Sequence, residues 1–195
     1  MPESSRDPAR AARFTALYDA CYHRILGYAQ RRISRDDAVD IVAETFAIAW
    51  RRLDDVPQGE RALYWLYATA RRVLANHRRA ESRRANLTNA IANEPLSQGS
   101  PATNDESRRA AAALAQLREP ERDLLLLVAW EGLDAAGVAA ILGCSRNAAR
   151  IRLHRVRRRF GQALAAVDEV KRQGGSGHVI SAAEPIGTFE LEDSP

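Results

Sequence analysis

The sequence predicts an all-α protein: two small helical modules joined by a flexible linker. Three observations carry this. Apolar residues recur at steps of three and four over most of the 195 residues, the period of amphipathic helices. Aromatic residues are only 6%, and glycine (11) and proline (8) are few, which disfavours a β-sandwich with its many turns and aromatic or β-branched strands. One stretch, 85–106, loses the period and fills with Asn, Ser, Pro, Thr and Gly. That composition cannot bury enough apolar surface to order itself.

The polar residues 1–12 read as a disordered N-terminus. In the first module, 13–84, Phe14, Leu17, Tyr18, Cys21, Ile25, Tyr28 and Ala29 give one helix a single apolar stripe. Ser34 is placed to cap a second helix, striped by Ala38, Ile41, Val42, Thr45, Phe46, Ala49, Trp50 and Leu53. Pro57 and Gly59 mark a loop. A third helix carries Leu63, Leu66, Tyr67, Ala70, Val73 and Leu74 and runs into six arginines between 71 and 84. Three such helices can bury a shared core.

The second module, 107–172, opens with an Ala-rich helix, Arg108 to Leu117. Pro120 begins another, where its missing N–H is not needed, with Leu124 to Val128 as its core. A short helix, Asp134 to Leu142, and a long one, from Arg146 to about Val170, follow. The remaining 173–195 read as a flexible acidic tail with Glu184, Glu190, Glu192 and Asp193.

Charge and composition remove several functions. The formal net charge is +4, and of the 29 basic residues only Lys171 is lysine. Arginine's planar donor fork suits phosphate. Seven arginines and no acid lie in 145–160, while Asp36 to Glu44 holds four acids and no base. Such segregation points to separate partners for separate surfaces. No run of 18 apolar residues exists, so no membrane insertion is expected, and the N-terminus lacks an apolar signal core. Two cysteines make no disulfide framework, and a cytoplasmic location follows. His23, His77, His154 and His178 are scattered and no glycine-rich phosphate cradle appears. No catalytic centre, metal or cofactor is therefore expected.

The strongest motif is LDAAGVAAILGCSRNAARIRLHRVRRRF, 133–160. It fits a helix-turn-helix. Asp134 and Ser145 can cap its two helices, and Gly143 stands at the turn, where a positive φ is needed. Ala149, Leu153, Val156 and Phe160 form the buried stripe of the second helix. Arg146, Asn147, Arg150, Arg155 and Arg157 are left outward, able to enter a major groove.

Together with DAVDIVAETFAIAWRRL (37–53) and WLYATARRVLANHRR (65–79), this motif resembles the extracytoplasmic-function sigma factors of bacterial RNA polymerase, group IV of the sigma-70 family. The resemblance covers about 13–84 and 107–160. It implies a transcription initiation factor and no enzyme: module one would be sigma domain 2 and module two sigma domain 4. The second helix would dock on the clamp helices of the beta-prime subunit through Asp40, Glu44, Phe46 and Trp50, and domain 4 would meet the beta flap. Trp65, Arg71, Arg72, Asn76, Arg78 and Arg79 would hold the melted −10 strand, where stacking and phosphate contacts serve single-stranded DNA. Arg146, Asn147, Arg150, Ile151, Arg152, Arg155 and Arg157 would read or clamp the −35 duplex. An anti-sigma protein would be a further partner, and the free chain would be a monomer. Three departures stand out: Arg72 where the family usually has asparagine, Ala148-Ala149-Arg150 where it often has Thr-Val-Lys/Arg, and Gly137 where it often has glutamate. The alternative is a conventional helix-turn-helix regulator that never joins the polymerase.

Overall fold

The computed structural model describes residues 8–88 and 104–175, all in helices and short turns. The first module holds α1 (Pro8–Gln30), α2 (Arg35–Arg51), a single 3-10 turn (Leu53–Asp55) and α3 (Glu60–Thr88). The second holds α4 (Asp105–Ala115), α5 (Glu119–Ala129), α6 (Ala135–Leu142) and α7 (Arg146–Gly175). The expected linker 85–106 is helical at both ends, 85–88 continuing α3 and Asp105 and Glu106 opening α4, and 173–175 of the expected tail continue α7; 89–103 and 176–195 lie outside the described residues.

Most of each expected stripe is buried, but Tyr18 of α1 and Trp50 of α2 are exposed. Ile25, Tyr28 and Ala29 of α1 meet Ala38, Ile41 and Ala49 of α2 and Leu66, Tyr67 and Ala70 of α3, all almost fully buried. The Ser34 hydroxyl accepts the Asp37 N–H at 3.2 Å and caps α2. Thr45, polar but fully buried, is satisfied because its hydroxyl donates to the Ile41 carbonyl at 2.7 Å.

The first helix starts at Pro8, inside the stretch expected to be disordered. The physical reason is long-range. Arg10 donates to the Trp50 carbonyl at 2.8 Å and pairs with Asp54, while Arg13 donates to the Val56 carbonyl at 2.6 Å. The extra turn is tied to the loop after α2.

In the second module Leu124, Leu127, Leu133, Val138, Ile141, Ala149, Leu153 and Val156 pack together. Arg109 of α4 pairs with Asp168 of α7 at 2.5 Å. The two modules share a buried seam, with α3 lying against α6. Gly137 explains itself there. A Cβ on it would stand 3.3 Å from the Tyr64 ring and 3.3 Å from Leu133 Cδ2, so glycine lets α6 approach α3 closely.

Candidate nucleic-acid interface

The helix-turn-helix is built by local chemistry. The Asp134 carboxylate accepts the N–H groups of Gly137 (2.8 Å) and Ala136 (3.0 Å), and chiefly the first of these holds it below the usual carboxylate range. Gly143 ends α6 in the left-handed region, φ 62°, and the Cys144 N–H returns to the Ala139 carbonyl at 3.0 Å. Ser145 then caps α7 by accepting the Ala148 N–H at 3.1 Å. Ala149, Leu153 and Val156 face inward. Arg146, Asn147, Arg150, Ile151, Arg152, Arg155 and Arg157 are all exposed. Arg159, next along, is drawn back to Glu121 of α5.

On α2, Asp40 and Glu44 are exposed one turn apart, beside the exposed Val39 and Trp50. Phe46 departs from the expected polymerase contact: it is 3% exposed, set between the rings of Tyr18 (4.8 Å) and Phe14 (6.3 Å). One helical turn separates Phe46 from Trp50; Phe14 of α1 meets both rings, at 6.3 Å and 5.1 Å, but Trp50 stays exposed. Arg10 lies over the Trp50 ring at 5.4 Å.

On α3, Arg72, Asn76 and Arg79 are exposed, and Trp65 is half-buried. Arg79 donates to Asn76 Oδ1 at 2.9 Å and to the Ala75 carbonyl at 3.0 Å. A groove of about 660 Å³ runs between this face and α6, lined by Arg61, Tyr64, Trp65, Arg72, Ala140 and Leu142 among others.

Arg71 and Arg78 are engaged from the second module. Arg71 Nε donates to Asp123 of α5 at 2.8 Å, and Arg78 pairs with Glu119 and donates to the Arg32 carbonyl. Asp123 also accepts from Arg32 Nε at 2.8 Å and from the Tyr28 hydroxyl at 3.3 Å. Glu131 accepts from Arg31 at 2.7 Å and from the Tyr67 hydroxyl at 3.1 Å. Arg32 and Glu131 are almost fully buried, and Arg32 Nη2 has no hydrogen-bond partner. Burial, then Glu131, pushes the Tyr67 hydroxyl up to about 12. Burial and Asp123 raise Tyr28 as well.

One grouping was missed by sequence reasoning. Asp37, His77 and Glu81 bring three potential ligand atoms within 4.8 Å of one another. The i, i+4 spacing of His77 and Glu81 was a visible signal, but Asp37 stands 40 residues earlier and only the fold joins it.

Two helical bundles, one carrying an outward basic helix-turn-helix, define a DNA-binding protein. Comparisons with known proteins sharpen that. Residues 17–84 match the Sigma-70 region 2 family and residues 107–160 match Sigma-70, region 4. The RNA polymerase sigma-H factor of Pseudomonas aeruginosa is 31% identical over 157 residues, covering 73% of this chain and 81% of that protein. CnrH of Cupriavidus metallidurans, an RNA polymerase sigma factor, is 28% identical, covering 70% of this chain and 78% of that one. The probable RNA polymerase sigma factor RfaY of Xanthomonas campestris pv. campestris is 34% identical over 72% of this chain, and the match spans 38% of RfaY. Among solved structures, CnrH in complex with the cytosolic domain of CnrY superposes with a TM-score of 0.54 at 26% identity, covering 78% of this chain and 88% of that one. The sigma factor RpoE in complex with the anti-sigma factor NepR, from Bartonella quintana, shares the fold, with a TM-score of 0.53 at 24% identity over 80% of this chain and 93% of that one. The chain belongs to the extracytoplasmic-function sigma factors, the non-enzymatic subunits that direct bacterial RNA polymerase to promoters. Among the described residues no helix is long and apolar enough to cross a membrane.

Proposed function

We propose that the first module grips the polymerase and the −10 element while the second reads the −35 duplex. The observation that carries this is the outward array on α7: seven exposed side chains, five of them arginine, on a helix whose inner stripe is fully committed to packing. Arginine there can hold guanine O6 and N7 with two donors, and its neighbours neutralise phosphates. Asp40 and Glu44, exposed on one face of α2 with Trp50, make an acidic and apolar surface suited to basic clamp helices of the core enzyme. Trp65 and Arg72 border the groove beside α6, a place for unstacked bases and their backbone, and Asn76 and Arg79 are exposed further along α3.

The closed seam bears on when this happens. With Arg71 held by Asp123 and Arg78 by Glu119, two arginines of the −10 face are already neutralised. Full engagement of promoter DNA requires the modules to part and phosphates to take the place of these carboxylates. CnrH was solved with the cytosolic domain of CnrY, which supports a protein partner for this chain and is consistent with work in the cytoplasm.

The test is promoter-directed run-off transcription by purified core polymerase with and without the chain. Transcripts that start at discrete promoters only when the chain is present support the reading, and the Asp40→Lys/Glu44→Lys double variant should abolish core binding with unchanged helical circular dichroism. A chain that binds promoter DNA yet leaves core polymerase inert would make it a conventional regulator.

A further inference from the structure

We propose that Asp37, His77 and Glu81 form a binding site for a first-row divalent cation, zinc being the best fit, which joins the start of α2 to the distal half of α3. Nothing in the promoter reading requires it.

One carboxylate stands at each edge of the His77 ring. His77 Nε2 lies 3.6 Å from Asp37 Oδ1, and His77 Nδ1 lies 3.4 Å from Glu81 Oε2. Both separations exceed the roughly 2.7–3.2 Å of an N–H···O bond. An ion takes one ring nitrogen, so one of these separations can be an edge of the site: the 3.4 Å from Nδ1 to Glu81 Oε2 falls in the roughly 3.3–3.6 Å that bonds of about 2.0–2.2 Å give in a tetrahedron, and one ligand atom from each of the three residues lies within 4.8 Å of the others. His77 Nδ1 is buried and makes no hydrogen bond, a cost that protein interiors normally avoid. The imidazole would supply one ring nitrogen and each carboxylate one oxygen.

The ligands are also held in place. His77 and Glu81 are four residues apart on α3, so their side chains rise from the same face. Asp37 comes from the first turn of α2, and its other oxygen accepts the Ser34 hydroxyl at 2.5 Å, which fixes the carboxylate plane as second-shell partners do in metal sites. The arginines beside His77 are turned elsewhere, Arg78 to Glu119 and the Arg32 carbonyl, Arg79 to Asn76 and the Ala75 carbonyl. Two carboxylates and an imidazole give a net charge that a divalent ion balances. One nitrogen and two oxygens suit zinc or cobalt(II) better than calcium or magnesium, which take oxygen ligands. Both carboxylates are partly exposed, which leaves the fourth position open to water.

The experiment uses the full chain, stripped with a chelator and titrated with Zn²⁺ by isothermal titration calorimetry. Co²⁺ serves as the spectroscopic probe, its visible absorption reporting tetrahedral geometry. The expected result is one saturable equivalent with a raised melting temperature, and at least about tenfold weaker binding in both His77→Gln and Asp37→Asn. Circular dichroism of the metal-free variants shows whether each folds like the parent. The proposal is overturned if the parent has no saturable site, or if either folded variant binds as the parent does, which would place the ion elsewhere.

Discussion

Arg71 and Asp123 stand 2.8 Å apart across the seam between the modules, and the same carboxylate receives Arg32 at 2.8 Å. One aspartate thus holds two guanidinium groups of the first module, Arg71 from α3 and Arg32 from the turn between α1 and α2. Removing one partner of a buried ion pair is far more costly than removing the pair, because it strands the other charge.

Asp123→Asn should therefore weaken the closed arrangement by about 3 kcal/mol, since Arg32 is buried and would lose its main counter-charge. Small-angle X-ray scattering should show a larger radius of gyration. Gel-shift titrations with single-stranded −10 DNA should show tighter binding, as Arg71 is released. An unchanged radius with unchanged DNA affinity would mean that the seam does not control access.

Gly137→Leu should strain the same seam from the apolar side. The space beyond Gly137 is already filled by Tyr64 and Leu133, so a larger side chain overpacks it at a cost of about 1–3 kcal/mol. Thermal melting should fall, with the far-ultraviolet helical signal retained.

On the α7 face proposed to read the duplex, Arg150→Ala should cost about 1–3 kcal/mol on preferred −35 sequences and much less on unrelated duplex. Binding isotherms on a panel of duplexes check this. Equal loss on every sequence would make Arg150 a phosphate clamp.

Alkaline stability should depend on Tyr67. Its hydroxyl is pushed from an ordinary value near 10 up to about 12 in the folded chain. The folded state keeps that proton where the unfolded state loses it. The stabilisation is therefore present below about pH 10 and is lost as pH rises towards 12. Denaturant titrations between pH 9 and 12 should show a shallower fall in Tyr67→Phe, which lacks both the ionisation and the bond to Glu131.

The legible parts of the structure were those governed by near neighbours. Asp134, Gly143 and Ser145 act within four residues of themselves, so the helix-turn-helix could be read directly. The buried stripes were legible because period alone sets which face turns inward. What escaped was long-range. Arg71 meets Asp123 across 52 residues and Arg31 meets Glu131 across 100, and no local pattern links them. Phe46 and Trp50 share one stripe in the sequence, and Phe14 of α1 meets both, but Tyr18 also covers Phe46 and only that ring is buried. The helical turn at Pro8 likewise depends on carbonyls more than 40 residues away.

Trp130 closes α5 at the seam, 63% exposed, with the Arg31 guanidinium 5.4 Å from its ring centre. The same guanidinium grips Glu131, the next residue. Separating the modules removes a cation from an indole face, and indole emission responds to a nearby charge. The chain thereby carries an intrinsic optical gauge of its own opening, readable by fluorescence without any attached dye.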